Sequence, residues 1–503
     1  MFARELQLSA AELVGALLRL DASRRVQILD SGGAREDEAR YLIAGFDPFE
    51  TIEARGQHLR IFHRESRSEE RLEAADVLRV LDERLARYRV PSRAAAASRP
   101  ACGVCIASFS YELAHNFERL RSRRHAQSTN ADAQPDAVLD FYDTLVIHDY
   151  VRSVTEVVSI ASTERLNRLW EIINESASIF NAQQPREKPD APPLSAQHLS
   201  QLTQQESQPA PTTATTSLFN SRATSNFTRD GYLQAVERIK EHIAAGDIYQ
   251  ANLTQQFSVA IDARLTPEQI FLNLRRDHPA SFAAFLRRRD DTVISASPER
   301  FLRVVMEENG ERWIEAWPVK GTRARGMSAA DDARLREELR LSEKDRAENV
   351  MIVDLLRNDL GRVCRYGTVS VTEMFTVQEH PTLFHLVSKV RGSLREEATA
   401  GSIMRAAFPC GSITGAPKIR AMEIIDEIEP GQRGLSMGAI GYFSFDGSLD
   451  LNVAIRTMVV RNRVARFNVG GGIVADSQPI LEYEESLTKA RALLRALGVE
   501  IGR

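Results

Sequence analysis

Cysteine is scarce. Four cysteines among 503 residues are too few for a disulfide framework. Cys102-Gly-Val-Cys105 spells a CxxC in an apolar run that reads as a strand, and no second pair or histidine follows at zinc spacing. All four read as reduced thiols of a cytosolic protein. An excess of basic charge is lacking too. The net charge is −4 with no basic asymmetry, which leaves no electrostatic footprint for nucleic acid. No apolar run approaches the about 20 residues of a membrane span. The start, Met1-Phe-Ala-Arg-Glu-Leu-Gln-Leu8, is not a charged stretch leading into an apolar one. The expectation is a cytoplasmic protein. There is no internal repeat.

What is present is a large apolar fraction, 43%, enough for a substantial core and, by length, for about two to four domains. Residues 9–20 read as a short amphipathic helix, 25–31 as a strand closed by Gly32-Gly33, and 72–88 as helical by period. Strands are expected over 103–111, 137–149 and 153–160. From about residue 183 to 225, Gln, Ser, Thr, Pro and Ala dominate. Such a segment buries too little apolar surface to offset its ordering entropy, so it reads as a linker. The chain thus divides into an amino-terminal region, 1–185, a linker over 186–226, and a second region, 227–503. The second region opens with a helical stripe of Tyr232, Val236, Ile239 and Ile243, stopped by Gly246. A strand begins within 246–257, and others follow at 281–286, 292–297, 367–371 and 382–392. Helices and strands are grouped rather than strictly alternating, which predicts an α+β fold.

Two helical stretches carry paired carboxylates. In 344–361, Val350, Val353, Leu356 and Leu360 recur at helical spacing, while Asp345 and Glu348 lie one turn apart on one face. In 479–497, Leu487, Ala490, Leu494 and Leu497 make the apolar stripe, with Glu482, Glu485 and Lys489 on roughly the opposite side. Two such helices could hold one Mg²⁺, which prefers oxygen ligands and takes one or two carboxylates plus an anionic substrate. By spacing alone, the same pattern also describes two solvated acidic faces.

The run Glu348-Asn-x-Met-Ile-Val-Asp-Leu-x-Arg-Asn-Asp-Leu360 resembles the signature of the chorismate-utilising enzymes. That family comprises the anthranilate synthase and aminodeoxychorismate synthase component I chains and the isochorismate and salicylate synthases. The likeness continues through Phe408-Pro-Cys-Gly-Ser-Ile-Thr-Gly-Ala-Pro-Lys-Ile-Arg-Ala-Met422, Gly438-Ala-Ile-Gly-Tyr442, Ala454-Ile-Arg-Thr457, Gly470-Gly-Gly-Ile473 and Ala475-Asp-Ser-x-Pro479. It covers residues 230–495. The resemblance implies two large antiparallel sheets packed as a sandwich with helices outside, and a cleft for the active site. It also implies that the amino-terminal region joins the same sandwich.

Chorismate is a ring with two carboxylates and a leaving hydroxyl, and the resemblance assigns a residue to each need. Glu348 and Glu485 would ligate Mg²⁺ directly, with Asp345 and Glu482 behind them through water. Gly470, Gly471 and Gly472 would cradle a carboxylate, and Arg456 and Lys489 would pair with one. Ser412 and Thr414 would donate hydroxyl or backbone hydrogens. His385 matches the family's active-site histidine, and Thr322 closes the motif Pro318-Val-Lys-Gly-Thr322 at the substrate. Glu299 would be the general acid for the departing hydroxyl, which requires a pKa raised by burial. Lys320 would be the covalent nucleophile. Ser31 resembles a serine that lines an effector pocket for tryptophan. Two positions depart from the pattern: Ser436, where relatives usually carry Tyr or Trp, and Cys410, where Gly is usual.

Gln250 stands where water-using relatives carry a Lys base, and a neutral residue suits ammonia. Lys320 stands where anthranilate synthases carry Ala. The pair resembles the aminodeoxychorismate synthase component I branch. That branch implies conversion of chorismate and ammonia to 4-amino-4-deoxychorismate, on the way to 4-aminobenzoate and folate. It implies a separate glutaminase subunit (a glutamine amidotransferase) as ammonia source and a separate aminodeoxychorismate lyase downstream. Anthranilate synthase component I is the alternative enzyme, and a non-catalytic regulatory subunit the alternative of another kind.

Overall fold

Strands that are apolar on both faces suit a sheet covered on both sides. Val104–Phe109, Ala137–Tyr142 and Thr144–Asp149 are of that kind, buried at every position. The computed structural model describes residues 1–33, 40–90, 99–101, 103–120, 134–183, 223–307, 309–379 and 383–499. Cys102, Thr382 and most of the expected linker lie outside the described residues.

Two sheets form the frame, and every strand pairing within them is antiparallel. The first runs Phe2–Leu6, Val154–Ser159, Thr144–Asp149, Tyr41–Gly45, Gln27–Asp30, Phe282–Arg287, Thr292–Ser297, Thr457–Arg461, Val464–Ile473, Gln250–Ala260, Ala223–Ser225. Gly415–Ala416 also pairs with Gln250–Ala260. The second runs Val319–Ala324, Leu383–Ser393, Arg312–Ala316, Arg300–Met306, Leu449–Val453, Ala439–Ser444, Val104–Phe109, Ala137–Tyr142, Glu50–Arg55, His58–His63, Ser68–Leu72, with Ser370–Glu379 on the other side of Leu383–Ser393. Ile43, Ile147, Leu286 and Val293 of the first sheet pack on Val104, Ile106 and Ile440 of the second. The outer face of the first sheet is covered by the Ala10–Arg19, Thr163–Gln183, Pro267–Asp277 and Pro479–Ala496 helices. The Val77–Arg87, Glu343–Gly361 and Ala400–Ala407 helices cover the second. This is the expected sandwich. Among the described residues no helix is long and apolar enough to cross a membrane.

Both sheets mix strands from before and after residue 186: Gln27–Asp30 pairs with Phe282–Arg287, and Val104–Phe109 with Ala439–Ser444. The last residues of the expected linker, Ala223–Ser225, form a short strand against Phe257–Val259. The stretch 137–149, read as one strand, is two. Ala137–Tyr142 lies in the second sheet and Thr144–Asp149 in the first, and the chain crosses between them at Asp143. Hydrophobicity continues through the crossing because both pieces are buried, so period alone does not reveal the break. Gly246 does stop its helix, at φ +79°. The strand expected at 367–371 runs instead from Ser370 to Glu379.

Candidate active site

The two carboxylate helices lie on different sheets, and their acidic residues meet across one cleft. The Glu343–Gly361 helix is capped by Ser342, whose hydroxyl accepts from the Asp345 amide. Its buried stripe is Asn349, Ile352, Val353, Leu356 and Leu360, whereas Val350 is exposed. The stripe is rotated from the expected one because a polar residue belongs to the core face. Asn349 Oδ1 accepts from Ser388 Oγ at 2.6 Å, and that hydroxyl in turn accepts from the Phe375 amide. This bond fixes the helix on the Leu383–Ser393 strand and so sets where Glu348 points. In the Pro479–Ala496 helix, Glu485 faces the cleft but Glu482 is buried, accepting from Ser477 Oγ at 2.7 Å.

The charges couple across the cleft. Desolvation raises the pKa of Glu348, and Asp345 and Glu485 add to the shift against Lys320 and Lys344. Desolvation also pulls Glu485 up, but Lys489, Lys344 and Lys320 together hold it below the usual carboxylate range. Glu482 is raised by desolvation, with Glu485 adding, against the Ser477 hydrogen bond. Lys320 Nζ lies 3.9 Å from Glu348 Oε2, and Lys489 Nζ lies 2.7 Å from Glu485 Oε1. Asp345 is differently occupied. It pairs with Arg323 Nη2 at 3.2 Å and packs on Gly321, where a Cβ would fall 2.8 Å from its Cγ. Among the described residues no three ligating side chains converge. Glu348 and Glu485 still fit a hard cation: both donors are carboxylates, and Mg²⁺ completes its shell with water and an anionic substrate.

The first sheet supplies the floor. Its Gln250–Ala260 strand pairs residues 252, 253 and 254 with Gly472, Gly471 and Gly470. Gly471 faces the Glu482, Glu485 and Lys489 head groups, and a Cβ there would stand 3.2 Å from the nearest of them. Lys489 Nζ also donates to the Gly470 carbonyl at 2.9 Å. Gln250 is fully buried, and both polar atoms of its carboxamide lack a partner among the described residues. On its other side Gln250 pairs with Ala416, which places the Ser412 and Thr414 loop beside it.

The second sheet supplies the wall. Thr322 opposes His385, and Thr322 Oγ1 lies 3.0 Å from His385 Nδ1. Glu299 precedes the Arg300–Met306 strand. Burial pushes its carboxyl up to about 7, against a hydrogen bond from Ser412, the charge of Lys320, the Val319 amide and Lys489. Its Oε1 is buried without a partner among the described residues. Arg456 sits at φ +47°, its carbonyl accepting from the Ala296 amide. No carboxylate pairs with its guanidinium among the described residues, and burial lowers its pKa. A desolvated cation without a counter-charge suits an anionic ligand. Ser31 is not in this cluster. It follows the Gln27–Asp30 strand, four strands along the first sheet from the glycines, and its hydroxyl is buried without a partner among the described residues.

Three positioning contacts are not visible in the sequence. Arg433 pairs with Glu429 and donates to the carbonyls of Ile413 and Asn252, tying the Ser412 loop to the Gln250 strand. Lys418 pairs with Asp359 and donates to the Ala407 carbonyl, joining two motifs 59 residues apart. The third is the Asn349 bond to Ser388. Arg433, Asp359 and Lys418 are charged residues in or beside motif stretches, which is the one signal that could have marked them.

Carboxylates on two helices, lysines beside them and a glycine floor thus line one cleft, with charges of both signs facing each other. The family described as chorismate binding enzyme matches residues 28–495, and the chain belongs to it, within the anthranilate and aminodeoxychorismate synthase group. It is 36% identical over 471 residues to aminodeoxychorismate synthase component 1 of Klebsiella aerogenes, covering 93% of each chain. It is 40% identical over 380 residues, 75% of its length, to aminodeoxychorismate synthase of Streptomyces griseus, and spans 48% of that longer protein. Its fold is similar to that of anthranilate synthase component I from Streptococcus pneumoniae, with a TM-score of 0.69, 26% identity, and coverage of 97% of this chain and 99% of the other.

Proposed function

We propose that the chain is the chorismate-aminating component of an aminodeoxychorismate synthase, which makes 4-amino-4-deoxychorismate from chorismate and ammonia. The observation that carries this reading is Lys320, an amine between Glu348 and Glu299 on the cleft wall. Lys320 Nζ attacks C2 of the ring while the C4 hydroxyl leaves as water with the proton of Glu299. Ammonia then adds at C4, the ring double bonds shift back, and the C2–N bond to Lys320 breaks. The surplus proton of the new amine restores Glu299. The enolpyruvyl group stays on throughout. Arg456, Lys489, Thr322 and the glycine floor hold the carboxylates, and His385 is fixed by Thr322 at the wall. Glu348 and Glu485 would hold Mg²⁺, with Glu482 and Asp345 behind them; the ion would screen the ring carboxylate and polarise the ring toward loss of the C4 oxygen.

Gln250 is the ammonia residue in this reading. Its carboxamide is neutral and lacks a partner among the described residues, so Oε1 can accept from an N–H of ammonia without acting as a base toward water. Gly472 keeps it in place: a Cβ there would fall 2.2 Å from Gln250 Nε2. Gly472→Ala should swing the flexible carboxamide aside without disturbing the backbone. The expected result is a loss of about 100-fold in kcat/KM for ammonia, the usual cost of a misplacement near 1 Å, with the melting temperature nearly unchanged. Wild-type turnover by this variant would contradict the placement.

The name component 1, borne by such relatives, supports a second component, and a glutaminase subunit would deliver the ammonia. A separate lyase would complete 4-aminobenzoate. The isolated chain should therefore consume chorismate with ammonium salt at alkaline pH, and with glutamine only after a glutaminase is added. Glutamine-dependent turnover by the pure chain would overturn this division of labour. The likeness to an anthranilate synthase component keeps that enzyme as the second reading.

A further inference from the structure

Every side chain assigned to the reaction above lies at or beyond Gln250, yet one carboxylate of the amino-terminal region is built into the same frame. The Val104–Phe109 strand leads into a tight turn over Tyr111–Asn116, whose second residue, Glu112, is buried. The Arg433 amide, 321 residues further on, donates to Glu112 Oε1 at 2.7 Å, and the Gly434 amide donates to Oε2 at 3.0 Å. The Tyr111 amide donates to the Gly434 carbonyl at 2.9 Å, and the Arg433 guanidinium carbon lies 4.6 Å from the centre of the Tyr111 ring. A carboxylate on two successive amides is a charge-assisted fork, and it fixes the direction in which the Arg433 side chain leaves the backbone.

That direction matters because the guanidinium is buried and spans two segments of the site. Its Nη1 donates to the Ile413 carbonyl at 2.7 Å and its Nη2 to the Asn252 carbonyl, while Glu429 neutralises it through Nε and Nη2. Between the same two segments the Asn252 amide donates to the Thr414 carbonyl at 2.7 Å, and Gln250 pairs with Ala416. Beyond this short backbone pairing, the Gln250 strand and the Ser412 loop are clipped together by one arginine, and Glu112 aims that arginine. We propose that Glu112 is a positioning residue for the amination, which through Arg433 sets the place of the Gln250 carboxamide and so governs the use of ammonia. This rests on the reading of Gln250 as the ammonia residue. Without Glu112 the turn stays attached, because Gln134 Oε1 accepts from the Leu435 amide and Gln256 Nε2 donates to the Gln432 carbonyl. What is lost is the aim of Arg433. Arg456, Lys489 and Lys320 are carried by other segments, so the hold on chorismate remains.

The test is a set of variants of the whole chain, assayed with Mg²⁺, chorismate and varied ammonium salt. Glu112→Gln keeps the shape but offers one acceptor to two amides. It should lower kcat/KM for ammonium about tenfold, the scale of one charge-assisted hydrogen bond, and leave KM for chorismate within about twofold. Arg433→Lys keeps the charge beside Glu429 but lacks the planar fork that reaches two carbonyls. It should show the same split, and adding Glu112→Gln to it should cost less than about twofold more. Wild-type kinetics in Glu112→Gln, losses that multiply in the double variant, or an equal loss toward chorismate and ammonium would overturn the proposal. Should Arg433→Lys fail to fold, the cycle is run on Gln250→Ala, where a further tenfold loss from Glu112→Gln would overturn it equally. Gln250→Ala is also measured alone: undiminished use of ammonium there would sink the reading of Gln250, whatever the Glu112 and Arg433 variants show.

Discussion

Lys320→Ala should lower formation of the 4-amino product by about 1000-fold, a barrier increase of about 4 kcal/mol. The amine it removes lies on the Val319–Ala324 strand, 3.9 Å from Glu348 and within the field of Glu299. Without it, the only route to substitution at C4 is direct displacement, which lacks the C2 adduct that moves the ring electrons. A residue of amination at C2 should persist, because ammonia can take the place the lysine occupied. Borohydride should not trap the wild-type adduct, since an amine bonded to C2 is not a Schiff base. Intact-protein mass with a slow substrate analogue should show the adduct on the Lys320 peptide of the wild type and none in the variant. Unchanged product formation by Lys320→Ala would remove the covalent path.

Glu348→Gln and Glu485→Gln should each reduce turnover by at least about 100-fold at moderate Mg²⁺. Each change removes one carboxylate charge while keeping the shape, so the melting temperature should hold. Glu348→Gln also releases Lys320 from its nearest acidic partner, whereas Glu485→Gln releases Lys489 from a 2.7 Å pair. If the loss came from these lysines rather than from the metal, cation binding would be intact. Paramagnetic titration with Mn²⁺ separates the two: both variants should bind the ion at least about tenfold more weakly than the wild type. Full wild-type activity in excess EDTA would contradict the metal site outright.

The carboxylate helices were legible from their periodicity, and the long motifs of residues 230–495 from their likeness to the family's runs of particular side chains at fixed spacing. Glu348 and Asp345 lie one turn apart in any helix, so their shared face followed from geometry. What Asp345 touches did not follow. Its pairing with Arg323 depends on how a distant strand is bent over Gly321, at φ +82°. The rotated stripe of the Glu343–Gly361 helix has a similar cause: Asn349 is polar, and only its bond to Ser388, 39 residues away, makes it a core residue. In the amino-terminal region, the Tyr41–Gly45 strand, the hairpin of Glu50–Arg55 with His58–His63 and the Thr163–Gln183 helix were not anticipated. Sheets in which neighbouring strands come from opposite ends of the chain leave little local signal of their order. The burial of the Gln250 carboxamide without a partner among the described residues likewise arises only when separate segments meet.

The most direct test of the proposed reaction is the identity of the product. Wild-type protein, chorismate, Mg²⁺ and ammonium salt, followed by liquid chromatography with mass analysis, should yield a compound in which one hydroxyl of chorismate has become an amine. The enolpyruvyl group should be intact, and no pyruvate should be released. Anthranilate and pyruvate as the main products would contradict the assignment of Lys320 and make the chain an anthranilate-forming enzyme.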